Sequence, residues 1–269
     1  MIRFLLTFTV AIALSFLAYT RTDGFVFSRV QGALVNRNTP LSFETKEALL
    51  QNFHYLGRGR QCFVFQSDDK KYVIKFFDQN YFCVPWYRFS EKEKAKRAQR
   101  YQFYNSSYQI AFEEFGEQLL YLHFGPSVSL PIVSIMTKSH HRIQVDLNEI
   151  PFVLQRKGIS FYSGLEAIYQ REGAEGLFRE VDSFLLAINN RISRNIADWD
   201  QNVENNWGYV DGEIFHLDPG RLYYDETLQE EERLKVELYR STHKFHRWLK
   251  AHYPDVALYF DNQLPSVKF

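Results

Sequence analysis

The chain has 269 residues, enough for one large domain or two modest lobes with a substantial core. Hydrophobic residues make up 45% of it and charged residues 24%, which excludes a disordered chain. The 32 basic residues balance 32 acidic ones, so no global positive field points to nucleic acid as a partner. The 25 Phe and 17 Tyr are scattered rather than clustered with Lys and Arg as a base-stacking platform requires, and they read as core. Two cysteines, Cys62 and Cys83, give neither a disulfide framework nor a metal-binding pair, and read as thiols of a reducing compartment.

Residues Phe4 to Tyr19 are almost wholly apolar behind Arg3, which predicts a hydrophobic signal or anchor segment over residues 1–20. Arg21, Arg29 and Arg37 follow it, and that excess of positive charge keeps the globular part cytoplasmic if the segment is retained. A cleaved signal, with export, is the alternative. Residues 21–40 read as a linker. Ser42 is a candidate N-cap for a helix over Glu44 to Phe53. Strands are expected at Tyr55–Leu56, Phe63–Gln66 and Tyr72–Phe77, with Ser67-Asp68-Asp69-Lys70 as the turn.

The charged run Glu91–Arg100 predicts a solvated helix, and Ser107 to His123 a second one interrupted by Gly116. Strands are expected at Leu130–Met136, Ile143–Leu147 and Ile150–Gln155. Leu177, Val181, Phe184, Leu185, Ile188 and Ile192 form the apolar stripe of a long helix. It leads into Ile196-Ala197-Asp198-Trp199-Asp200 and an Asn-rich turn with Asn205 and Asn206. Trp207–Val210 and Glu213–Leu217 flank Asp211-Gly212, a pair suited to a type I′ hairpin turn. Leu234, Leu238, Phe245, Trp248 and Leu249 share a last helical face. His140, His141, His243 and His246 lack partners at metal spacing and are assigned to the surface.

Several fragments point to phosphate chemistry through their order. Leu56-Gly57-Arg58-Gly59 is a glycine turn between strands, and Lys75 closes the run Tyr72-Val73-Ile74 on the next strand. Far downstream come two acids, an amide-rich loop and His216-Leu217-Asp218-Pro219-Gly220. A glycine turn lets backbone N–H groups approach a polyphosphate, a strand lysine neutralises its charge, and later acids with an amide hold Mg²⁺ and orient a nucleophile. Each fragment alone has an ordinary explanation as a turn or a surface strand.

Taken together, the run from about Leu50 onward resembles the protein-kinase-like fold. Gly57, Gly59, Cys62 and Val64 match the register of its glycine-rich loop, with Cys62 in the third glycine's place. Val73-Ile74-Lys75 looks like its lysine strand, and Asp218-Pro219-Gly220 is similar to its metal-binding segment, particularly that of phosphatidylinositol-kinase-like enzymes. The resemblance implies an α+β, two-lobed protein-kinase-like domain over residues 41–269, preceded by the hydrophobic helix. The N-lobe would run to about residue 155. About fifty residues follow Asp218, so the C-lobe would be shortened.

The resemblance further implies ATP and Mg²⁺ as cofactors, with Gly57, Gly59, Val64, Lys75 and Gln155 on the nucleotide. Glu114, or Glu113 beside it, would hold Lys75. Asp200 or Asp198 would orient the acceptor hydroxyl, and Asn205 or Asn206 would hold metal with Asp218. Asp200 and Asn205 reproduce the family's D-x-x-x-x-N spacing, yet no His or Arg stands where H-R-D requires them. The activity implied is phosphoryl transfer to a protein or small-molecule acceptor. The rival is an inactive pseudokinase serving as a membrane-proximal scaffold.

Overall fold

The computed structural model describes residues 2–32, 38–82 and 90–264, so Arg37 and Cys83 lie outside the described residues. The described chain is a mixed α+β protein and divides into two compact bodies. The first comprises Met1–Gln102 and Leu119–Lys157, the second Phe103–Gln118 and Gly158–Phe269.

The first body is built on a seven-stranded sheet. Its strands are β1 (Phe53–Arg58), β2 (Cys62–Ser67), β3 (Tyr72–Phe77), β4 (Leu119–His123), β5 (Ile132–Met136), β6 (Arg142–Asp146) and β7 (Phe152–Arg156). They lie in the order β4-β7-β3-β2-β1-β5-β6, with only the β1–β5 pair parallel. Alternation along the strands sends Phe63, Phe65, Ile74, Phe76, Phe152 and Leu154 to one face, where they form a single buried cluster. Phe25 meets the Phe63 and Phe65 rings edge-on at 5.1 and 5.3 Å. The helices are α1 (Ile2–Thr22), α2 (Phe43–Leu49), α3 (Gln79–Phe82) and α4 (Glu91–Phe115), the last passing into the second body at Phe103. Ser42 caps α2 as its sequence predicts, its hydroxyl accepting from the Thr45 N–H at 3.1 Å.

In the second body a short strand β8 (Ile159–Ser160) precedes the long helix α5 (Phe161–Ser193), which breaks at Gly173, where φ is +65°. There follow β9 (Ile196–Asp198), α6 (Val203–Asn206), β10 (Trp207–Val210), β11 (Glu213–His216), β12 (Leu222–Tyr224), α7 (Glu231–His252) and α8 (Pro254–Gln263). The apolar stripe of α5 packs with Phe245 and Leu249 of α7 and Phe260 of α8 in one buried cluster. Asp211 and Gly212 both have positive φ, 52° and 87°, which is the type I′ turn expected between β10 and β11.

Two expectations are corrected, and the N-terminal segment is qualified. Residues Ser107 to His123 are not one helix: α4 runs unbroken from Glu91 and stops at Phe115, and Leu119–His123 is an edge strand on β7. The Leu-Leu-Tyr-Leu run after Gly116 is buried by pairing, a non-local gain that helical periodicity does not report. His246 is buried, its Nε2 2.8 Å from Asp261 and its ring stacked on Phe260. The hydrophobic N-terminal segment is helical, but among the described residues no helix is long and apolar enough to cross a membrane.

Candidate functional site

In the first body, strand register assembles a row. Gly57 lies opposite Val64, Val64 opposite Lys75, and Lys75 opposite Val153. Directly opposed residues point to the same face, so Val64 and Lys75 project from one side, the side away from the phenylalanine cluster. Gln155, two residues along β7 from Val153, shares that face. Lys75 is only 7% exposed. Gln155 is buried, and its Oε1 has no hydrogen-bond partner among the described residues. A bulge at Leu56 sets the register in which Gly57 meets Val64.

The two glycines of the turn are not required by packing. A Cβ on Gly57 would meet nothing within 4 Å among the described residues, and one on Gly59 would meet its nearest atom, the Cys62 carbonyl oxygen, at 3.8 Å. Neither has positive φ. Gly208 is the contrast, since its Cβ would stand 2.1 Å from the Ile159 carbonyl oxygen. What glycine provides at 57 and 59 is therefore bare backbone beside open space, the condition for close approach of a ligand. The turn is held from beneath. Arg58 Nη2 donates to Asp78 at 2.9 Å, Asp78 also accepts from Arg29, and Arg58 Nη1 reaches the Tyr19 hydroxyl at 2.6 Å. Asp78 is 1% exposed and closes the Gln61 carbonyl with its own N–H at 2.7 Å.

In the second body, Asn206 stands between the two acidic segments. Its Nδ2 donates to the Asp200 carbonyl at 2.6 Å, and its own carbonyl accepts the Asp218 N–H at 3.2 Å. Asn206 is buried and Asn205 exposed, so the residue next to the one at D-x-x-x-x-N spacing is the one bonded to the backbone of both acidic segments. Asp218 Oδ1 accepts from the Tyr104 and Tyr108 hydroxyls, each at 3.1 Å. Ser107 ties α4 to the same loop by donating to the Pro219 carbonyl. Gly220 is a structural glycine, its Cα against the Tyr104 ring.

Asp198 and Asp200 differ sharply. Asp198 is 3% exposed, with Oδ1 accepting the Asp200 N–H at 2.8 Å and Oδ2 bonded to His216 Nε2 at 3.1 Å. Its own N–H donates to Glu237 Oε1 at 3.1 Å, and Glu237 is ion-paired with Arg191 at 2.9 Å, both buried. Asp198 thus positions the loop, while the half-buried Asp200 carboxylate accepts no hydrogen bond among the described residues. Glu114 accepts from Arg194 at 3.2 Å and from the Tyr224 hydroxyl at 3.0 Å, so both its oxygens are engaged within this body. Glu113 accepts from Gln109 at 2.8 Å.

Asp78, Tyr104, Tyr108 and His216 escape sequence reasoning, because their role lies in contacts 20 or more residues away or, for His216, in a pairing with Asp198 across a hairpin. Among the described residues no group of three His, Cys, Asp or Glu could hold a metal ion. Asp218 and Asn206, joined through the backbone, still supply hard oxygen donors of the kind Mg²⁺ takes alongside substrate phosphates.

No family model matches the chain, and no curated protein matches it. Among solved structures, a crystal structure of WbdD aligns at 12% identity over 80% of this chain and 46% of that one, with a TM-score of 0.40. A second, in which WbdD is called a bifunctional kinase-methyltransferase, aligns at 13% identity over 78% and 44%, with a TM-score of 0.38. A co-crystal structure of WbdD with a kinase inhibitor gives 13% identity and a TM-score of 0.36. The chain spans less than half the length of these structures, and at such scores the likeness assigns nothing.

Proposed function

We propose that the chain is a kinase-like phosphotransferase using Mg·ATP, with a protein or small-molecule hydroxyl as acceptor. The observation that carries the reading is the Gly57–Val64–Lys75 row, beside two glycines for which packing offers no reason. In this reading Lys75 neutralises phosphate, the backbone at Gly57 and Gly59 approaches it, and Gln155 offers its unpartnered amide oxygen to the base. Glu114, the partner the family resemblance implies for that lysine, bonds Arg194 and the Tyr224 hydroxyl. Asp200 orients the acceptor hydroxyl, Asp198 holds the loop, and Asn206 with Asp218 holds the metal. The ion supplies charge stabilisation at the transferring phosphoryl group.

The test is thermal unfolding of the full chain with Mg·ATP, where ligand at about a hundred times its dissociation constant adds roughly 2.7 kcal/mol. A folded protein with no shift at millimolar nucleotide overturns the proposal. The pseudokinase reading draws on one observation, the engagement of Glu114 by Arg194 and Tyr224, and a shift without transfer would favour it.

We also propose that α1 tethers the protein to a membrane with the remainder on the cytoplasmic side. Phe8, Val10, Ile12, Leu14 and Phe16 of this helix are all about half exposed or more. Flotation with lipid vesicles should be lost on Ile12→Glu with Phe16→Glu; equal flotation of the variant would remove the tether.

A further inference from the structure

A cavity lies wholly within the second body, between the end of α4, the last turns of α5 and the β10–β11 hairpin. Its volume is about 230 Å³. Phe115, Trp207 and Phe215 supply apolar wall. Three other side chains on that wall each keep a buried polar atom without a hydrogen-bond partner among the described residues: Gln118 Oε1, Arg191 Nε and His216 Nδ1. All three residues are more than nine-tenths buried. Buried polar groups are nearly always satisfied, and three exceptions around one cavity call for a common cause.

Arg191 Nε–H is a donor, and the guanidinium charge is already met by Glu237 at 2.9 Å, so the site needs an acceptor but no further anion. His216 Nε2 lies 3.1 Å from the Asp198 carboxylate, and a neutral ring donating there presents Nδ1 to the cavity as an acceptor. Gln118 Oε1 is a second acceptor.

We propose that this cavity binds a neutral, flat molecule with an aromatic body and an amide-like edge, an N–H beside a C=O. The ring lies against Phe115, Trp207 and Phe215, the C=O accepts from Arg191, and the N–H donates to His216 or Gln118. A purely apolar ligand would leave the three polar atoms unsatisfied, and a carboxylate would face two acceptors. The inference is independent of the phosphotransferase reading, since it uses none of that site's metal or nucleotide residues.

The experiment is calorimetric titration of the full chain with quinazolin-4-one and with naphthalene, of similar shape and no polar edge, the binding site being mapped by NMR. Quinazolin-4-one should bind in the cavity and more tightly than naphthalene. Gln118→Leu removes no existing side-chain hydrogen bond, so it should keep the melting temperature while weakening quinazolin-4-one about tenfold. Ala187→Phe, which fills the cavity from α5, should abolish binding of both. Absence of quinazolin-4-one binding at millimolar concentration, equal affinity for naphthalene, or indifference to Gln118→Leu would each overturn the proposal and leave ordered water as the partner of these atoms.

Discussion

Replacing Gly57 and Gly59 by alanine separates a glycine kept for a ligand from one kept for the fold. At Gly57 the new methyl group enters open space, and at Gly59 its nearest described neighbours are the Cys62 carbonyl oxygen at 3.8 Å and Sγ at 3.9 Å, ordinary van der Waals contact. Neither position has the positive φ that would strain an alanine. With no clash and no strain, the remaining effect is on the unfolded chain, which loses freedom. Each substitution should therefore stabilise the protein by about 0.4–1 kcal/mol. Gly208→Ala, whose methyl would press on the Ile159 carbonyl oxygen at 2.1 Å, should be destabilising in the same series. Urea denaturation of the full chain measures these changes, and thermal unfolding with Mg·ATP measures nucleotide binding in the same variants. The expected result is an unchanged or higher urea midpoint for Gly57→Ala and Gly59→Ala, with the Mg·ATP shift reduced. A loss of more than about 1 kcal/mol for either would show the glycines to be structural. Full retention of the shift would show that no phosphate approaches them.

Glu237→Gln should cost about 3–5 kcal/mol in urea denaturation, because it leaves the buried Arg191 guanidinium without its counter-charge; a cost under about 1 kcal/mol would mean that water compensates the charge. The pair Arg191→Met with Glu237→Gln should be milder than Glu237→Gln alone, since the buried guanidinium leaves with its counter-charge while Gln keeps an acceptor for the Asp198 N–H. His123 gives a pH dependence. The ring is fully buried, with Nδ1 2.9 Å from the Ile150 carbonyl oxygen, and burial holds its pKa below the ordinary imidazole value. The unfolded chain then takes up the proton first, so this contribution is complete above about pH 6.5 and is lost as pH falls from there through the folded value. His123→Gln should flatten the fall in stability between about pH 7.5 and 5.5, and an unchanged slope would place the effect elsewhere.

The parts of the molecule legible in its sequence are those specified locally. The Asp211-Gly212 turn, the Ser42 cap and the α5 stripe depend on residues within a few positions of one another, and all three stand where the pattern puts them. The Val64–Lys75 pairing follows from a short hairpin whose turn residues are equally plain. What the pattern missed is non-local. Leu119–His123 pairs with a strand some 30 residues on, and that pairing, not helical spacing, decides its conformation. The different surroundings of Asp198 and Asp200 arise from His216 and from α7 through Glu237, and those of Asn205 and Asn206 from a bond to Asp218. No spacing rule within the loop contains those partners. The Asp78 clamp under the glycine turn is invisible for the same reason, because its two arginines come from segments 20 and 49 residues distant.

The measurement that bears most directly on the account is transfer of the labelled γ-phosphoryl group of ATP, to the chain itself or to water, by the 269-residue chain with Mg²⁺, compared with Asp218→Asn. Asp218 sits in a loop held by backbone bonds and by the hydroxyls of Tyr104 and Tyr108, so the amide should preserve the fold while removing a charged metal ligand. The account predicts Mg²⁺-dependent transfer by the parent chain and a fall of about a hundredfold or more in the variant. Equal transfer by the two proteins, or none by a parent chain that Mg·ATP demonstrably stabilises, would contradict it.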